Sequence, residues 1–79
     1  MKKALFSIVS TIVDNPKDVV VDEQEEEGIT QFIVTVHKED MGKVIGKEGK
    51  VIRAIRNVMK IPAMKQNKRI NISLNEIAQ

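Results

Sequence analysis

The sequence predicts an α+β domain with the element order α-β-β-α-α-β, three helices lying on one face of a three-stranded sheet. Three patterns carry that expectation. Apolar residues recur at helical spacing over 2–14, alternate with polar ones over 29–37, and return to helical spacing from Glu39 onward.

The first segment places Leu5, Ile8, Val9, Ile12 and Val13 on one stripe, with Ser7, Ser10 and Thr11 between them, as an amphipathic helix does. Asp14-Asn15-Pro16 ends it, because proline pushes its predecessor out of helical geometry. Residues 17–24 hold Val19, Val20 and Val21, a β-branched run suited to a strand. Glu25-Glu26-Glu27-Gly28 reads as a charged turn with Gly28 at positive φ, and Glu23 to Glu27 as a solubilising hairpin tip. Residues 29–37 set Phe32, Val34 and Val36 against Ile33, Thr35 and His37, a strand that closes a hairpin with its predecessor. A short helix follows over 39–45, its acidic start suiting the helix dipole. After Gly46–Gly49 a second helix carries Ile52, Ile55, Val58 and Met59 as its buried stripe, with Pro62 limiting its end. Residues 63–67 read as a loop. Residues 68–74 put Ile70, Ile72 and Leu74 on one face of a third strand.

All 79 residues form one domain, residues 1–79, with a single modest core. The 42% apolar and 30% charged fractions fit a folded globular chain. With no cysteine, disulfides and thiolate metal sites are excluded, which suits a cytoplasmic location. Met1-Lys2-Lys3 and the apolar run behind it resemble a secretory signal, but the run is amphipathic and no small-residue cleavage site follows. No apolar run approaches the roughly 18 residues of a membrane span, so no membrane partner is expected.

Charge is more telling in its distribution than in its net of +2. Residues 1–40 carry four basic and nine acidic groups, a balance of −5. Residues 41–70 carry nine basic groups and Glu48 alone on the acidic side, a balance of +8. That polarity suits a polyanionic partner for the second half of the chain.

The informative segment is Val44-Ile45-Gly46-Lys47-Glu48-Gly49-Lys50-Val51-Ile52. Two glycines three apart let the chain turn sharply between helices and bring backbone close to a ligand. The following helix starts there, so its free N–H groups and positive dipole end face the same spot. Lys47 and Lys50 add positive charge, and the whole suits a phosphate of an extended nucleic-acid backbone. Glu48 offsets part of the Lys47 charge, although the backbone amides do not depend on it.

The segment resembles the signature of the KH RNA-binding domain: two apolar residues, Gly-x-x-Gly, two variable residues, then an apolar one, between two helices. The helix and strand ahead of that core match the type II arrangement, and Met41 to Lys47 is similar to the KhpA family of bacterial stand-alone KH proteins. The resemblance implies single-stranded RNA as partner, about four nucleotides held in a groove and clamped by the glycine loop. It implies one groove wall from Val44, Ile45, Lys50 and Arg53, and another from residues 65–72, which contribute Lys68 and Arg69. It further implies a role as RNA chaperone or post-transcriptional regulator, and self-association or pairing with a second KH-containing protein. Phe6 and Phe32 are the only aromatic residues, so bases would rest on aliphatic side chains and bind with modest affinity and loose preference.

Catalysis is not expected. A Walker A loop fails because Lys47 stands where its second glycine belongs, and Val51 where Ser or Thr should follow Gly49-Lys50. No Ser-His-Asp or paired-carboxylate arrangement can be assembled, no cofactor is implied, and His37 reads as an exposed strand-end residue rather than a metal ligand. The competing reading is a protein-interaction adaptor that uses the same fold to dimerise, through an apolar patch of Ile61, Ala63 and Met64.

Overall fold

A computed structural model describes residues 1–77. Its elements are α1 (Lys2–Ile12), β1 (Val20–Glu26), β2 (Ile29–Val36), α2 (Met41–Ile45), α3 (Lys50–Lys65) and β3 (Arg69–Glu76), with single 3-10 turns at Pro16–Asp18, Lys38–Asp40 and Lys47–Gly49. The sheet order is β1-β2-β3. β1 runs antiparallel to β2, with Val20 opposite Thr35, and β3 runs parallel to it, with Ile29 opposite Arg69.

β2 alternates as its sequence predicts. Thr30, Phe32, Val34 and Val36 are buried under the helices, while the residues between them are half-buried on the open face. Leu5 and Val9 of α1, Val44 of α2, Ile52, Ile55, Met59 and Ala63 of α3, and Ile72 of β3 complete the core on that side. Full burial of a Phe or Leu side chain contributes about 1.5–3 kcal/mol, so Phe32 and Leu5, both at 0% exposure, anchor the two layers.

Several boundaries differ from the sequence reading, each for a physical reason. β1 starts later and runs further than 17–24, because Pro16–Asp18 forms a 3-10 turn and the hairpin closes on two residues. Glu27 and Gly28 both have positive φ (51° and 80°), the geometry of a type I′ turn whose twist matches the strands. Pro62 does not end α3: it lies inside the helix, which continues to Lys65. The end is set instead by Asn67, at φ 53°, where the Asn67 N–H bonds the Met64 carbonyl (3.1 Å) and the Lys68 N–H bonds the Ala63 carbonyl (2.9 Å). Val58 is not part of the buried stripe. It is 52% exposed, and Ala63, at 3%, fills the fourth core position of α3.

Candidate nucleic-acid interface

The glycine loop is built by two backbone conformations that do different work. Gly46 has φ 75° and ψ 171°, a region that side-chain-bearing residues avoid. A Cβ there would stand 2.3 Å from Val51 Cγ2 and 2.8 Å from the Val51 backbone nitrogen, so α3 closes against the loop only because position 46 has no side chain. Gly49 is left-handed (φ 74°, ψ 16°), but a Cβ there would meet nothing nearer than Ile52 Cγ2 at 4.0 Å. Between them Glu48 is also left-handed (φ 57°), an uncommon state for a residue with a side chain.

Arg53 holds that strained loop in place. Its Nη2 donates to the Glu48 carbonyl at 2.7 Å, and its Nε reaches the Gly49 carbonyl at 3.4 Å. With these carbonyls tied back to α3, Arg53 supports the loop from below. The Gly49 N–H bonds the Gly46 carbonyl (3.1 Å) and the Gly46 N–H bonds the Gly42 carbonyl (2.8 Å), which closes the turn on α2.

Asp40 fixes α2, and through it the loop. Its side chain is 1% exposed, and its carboxylate oxygens accept from the backbone N–H groups of Asp14 (3.1 Å) and Asn15 (2.9 Å) and from Asn15 Nδ2 (3.1 Å). Burial pushes this carboxyl's pKa up, but those hydrogen bonds and the Lys43 charge outweigh it and hold the group below its ordinary 3.8. Lys43 pairs with Asp14 at the surface, and that hydrogen bond raises its pKa from 10.5. Lys43 is therefore committed to the α1–β1 turn. His37 accepts the Glu39 N–H at Nδ1 (3.1 Å) and so caps the turn leading to Asp40.

The residues singled out from sequence fall into three groups. Lys47, Glu48 and Lys50 are exposed on and beside the loop, and Ile45, 38% exposed, offers an apolar surface next to it. Val44 is fully buried, so its side chain forms core beneath the groove and not the groove wall expected of it. Lys68 and Arg69 are exposed at the other end of α3, a helix whose length spans roughly 24 Å. The structure does not bring them to the loop.

A groove between α3 and β3 runs from Arg56 to the Lys68 end of the helix. One part, about 400 Å³, is lined by Arg56, Lys60, Ile70, Asn71 and Ile72. It continues past Lys60 to Met64, Lys68 and Arg69. Arg56 and Lys60 thus belong to the site although the motif does not point to them. Their spacing from Arg53, three and seven residues, puts all three on one helix face, and that was the available signal. Basic groups above and aliphatic Ile70 and Ile72 below suit a charged, flat, partly apolar ligand.

This architecture, with its glycine loop joining α2 to α3 and a parallel β3, is that of a type II KH domain. The sequence model of the KhpA/KhpB KH domain matches residues 2–74. The proteins called RNA-binding protein KhpA are similar to this chain: that of Oceanobacillus iheyensis is 42% identical over 74 residues, covering 94% of this chain and 99% of its own. The Clostridium acetobutylicum protein is 43% identical over the same shares, and the Listeria monocytogenes one 38% over 96% and 100%. The chain belongs to the KhpA/KhpB KH-domain family. Among solved structures, Era in complex with MgGDPNP and nucleotides 1506–1542 of 16S ribosomal RNA has the same fold over 95% of this chain, at TM-score 0.68 and 11% identity. This chain spans 29% of the Era chain.

Proposed function

We propose that this protein binds single-stranded RNA non-catalytically, its backbone clamped at Gly46-Lys47-Glu48-Gly49 and its bases laid along the α3–β3 groove. In this reading it works in the cytoplasm as an RNA chaperone or post-transcriptional regulator. The supporting observation is the loop itself: Gly46 admits α3 so closely that the loop and the start of α3 form one surface, flanked by Lys47 and Lys50. The names of the relatives point the same way. The test is fluorescence anisotropy with a short unstructured RNA pool, comparing wild type with the Lys47→Asp/Glu48→Asp double variant, both checked by circular dichroism. The folded double variant is expected to lose binding. Wild-type binding should fall with salt, by a slope of about −0.7 per phosphate contacted. Equal binding by the two proteins sinks the clamp.

A second reading, association with another copy or with a second KH-containing protein, is favoured by exposed apolar groups on α3. Val58, Ile61 and Met64 are 52%, 60% and 74% exposed. Ala63, expected in that patch, is buried and takes no part. Ile61→Asp should leave the fold intact and lower the sedimentation-equilibrium mass if this face is an interface.

A further inference from the structure

The sheet has two edges, β1 and β3, and they are guarded differently. On β3, Arg56 Nη2 takes up a backbone acceptor, the Ile72 carbonyl, at 3.2 Å. On β1, among the described residues, the side-chain hydrogen bond present joins Thr30 Oγ1 to the Glu25 carboxylate and leaves the strand's backbone untouched. No bulge or proline interrupts β1 either, since Val20 to Glu26 pair residue by residue with β2. The outward N–H and C=O groups of its alternate residues therefore stand ready for another strand.

Beside that edge an open groove of about 500 Å³ separates α1 from β1, lined by Lys2, Lys3, Phe6, Val19, Val20 and Val21. Val19 and Val21 are buried, so the exposed apolar surface there comes from Phe6 and Val20. A helix alongside a free strand edge can receive an extended peptide as an added strand. Main-chain bonds then hold one side of the peptide, and the groove takes a side chain from it.

Charge decides the occupant. Beyond the groove β1 carries Asp22, Glu23, Glu25 and Glu26, all exposed, and no basic residue. Successive strand residues point to opposite faces, so both faces of this edge bear carboxylates. A second copy offering its own β1 would set these carboxylates against their equals, and like charges across a strand pair destabilise it. An incoming strand rich in lysine or arginine meets opposite charge instead. At the groove end Lys2 and Lys3 reverse the sign, so that end favours apolar residues and a carboxylate over further cations. The edge is thus electrically polar, and it orients what it binds.

We infer that β1 captures an extended basic segment of another protein as an added strand of the sheet. The segment's basic residues lie along Asp22 to Glu26, and an apolar residue sits between Phe6 and Val20. It runs antiparallel to β1, the more stable pairing, so its basic residues come first and its apolar end last. This edge lies across β2 from β3, which leaves the groove proposed for RNA open.

The probe is a labelled peptide of alternating lysine and threonine that ends in valine-leucine-valine, titrated into the full chain by fluorescence anisotropy. Its counterpart carries glutamate for lysine. Wild type is expected to bind the lysine peptide and leave the glutamate peptide unbound. Two further lysine peptides are N-methylated on one or the other alternate set of residues. Only the set that faces β1 gives up hydrogen bonds, so one pattern should abolish binding and the other should leave it in place. Phe6→Ala, checked by circular dichroism, should weaken the lysine peptide about tenfold through lost apolar contact. No binding by wild type, binding of both charge versions, equal effects of the two methylation patterns, or unchanged affinity in folded Phe6→Ala each overturns the inference. The methylated peptides need no protein variant, so the test stays decisive should Phe6→Ala fail to fold.

Discussion

Replacing Gly46 by alanine puts a methyl where α3 passes, and the size of the penalty can be worked from the loop. Two separate terms contribute. Holding a residue with a Cβ at φ 75° and ψ 171° costs about 1–3 kcal/mol. The new Cβ would also lie 2.7 Å from Val51 Cβ and 2.8 Å from the Val51 nitrogen, and a helix backbone cannot swing aside as a side-chain tip can. Overpacking of that kind adds about 1–3 kcal/mol. The total, near about 4 kcal/mol, is a large share of the roughly 4–12 kcal/mol that a chain of this length possesses. Gly49→Ala is the internal control. Its left-handed backbone costs about 1–2 kcal/mol, but the nearest atom lies 4.0 Å away and no overlap is added. Urea unfolding followed by circular dichroism should therefore place Gly46→Ala about 2 kcal/mol below Gly49→Ala. For a domain of this size that corresponds to a melting point lower by about 8–16 °C. Equal midpoints, or a greater loss at Gly49, would show that the close approach of Val51 does not constrain the loop.

Two further outcomes follow from the turns at Asp40 and at Glu27. The Asp40 carboxyl has a lower pKa folded than its ordinary 3.8, so its contribution to stability is complete above that value and disappears as pH falls through the folded one. Thermal melts from neutral pH down to about pH 3 should show wild type losing stability on acidification and Asp40→Asn losing less, from a lower starting point; parallel pH profiles would contradict this. At the hairpin, Glu27→Asn puts a residue that tolerates positive φ ahead of Gly28, and should raise stability by about 0.5–1 kcal/mol in the same urea assay. No gain there would mean that Glu27 is not strained at φ 51°.

The parts legible in the sequence are those where side-chain chemistry and backbone period agree. Phe32, Val34 and Val36 alternate in a central strand whose two neighbours leave no other way to bury them, so the pattern reads directly. Gly46 and Gly49 are legible because a sharp helix–loop–helix turn needs positive φ. In α3 the pattern underdetermines the result. Val58 and Met59 are adjacent apolar residues, and only the position of the sheet decides that Met59 faces inward at 1% exposure. Pro62 misleads because the carbonyl it leaves unbonded is that of Val58, on the solvent side, where the loss is small. Arg53 reads from sequence as part of one groove wall, whereas the structure turns it back on its own loop. Asp40 gives no local signal, since its partners Asp14 and Asn15 are far away along the chain.

The parallel pairing of β2 with β3 also governs the order in which the molecule can assemble. The β1–β2 hairpin is local and can close as soon as its two-residue turn has formed. β3 must wait, because Ile29 meets Arg69 only after everything between them, α2, the glycine loop and α3, has been collapsed into a crossover. During synthesis the groove therefore has no second wall until β3 has left the ribosome. A nascent chain still lacking β3 has the glycine loop without the groove.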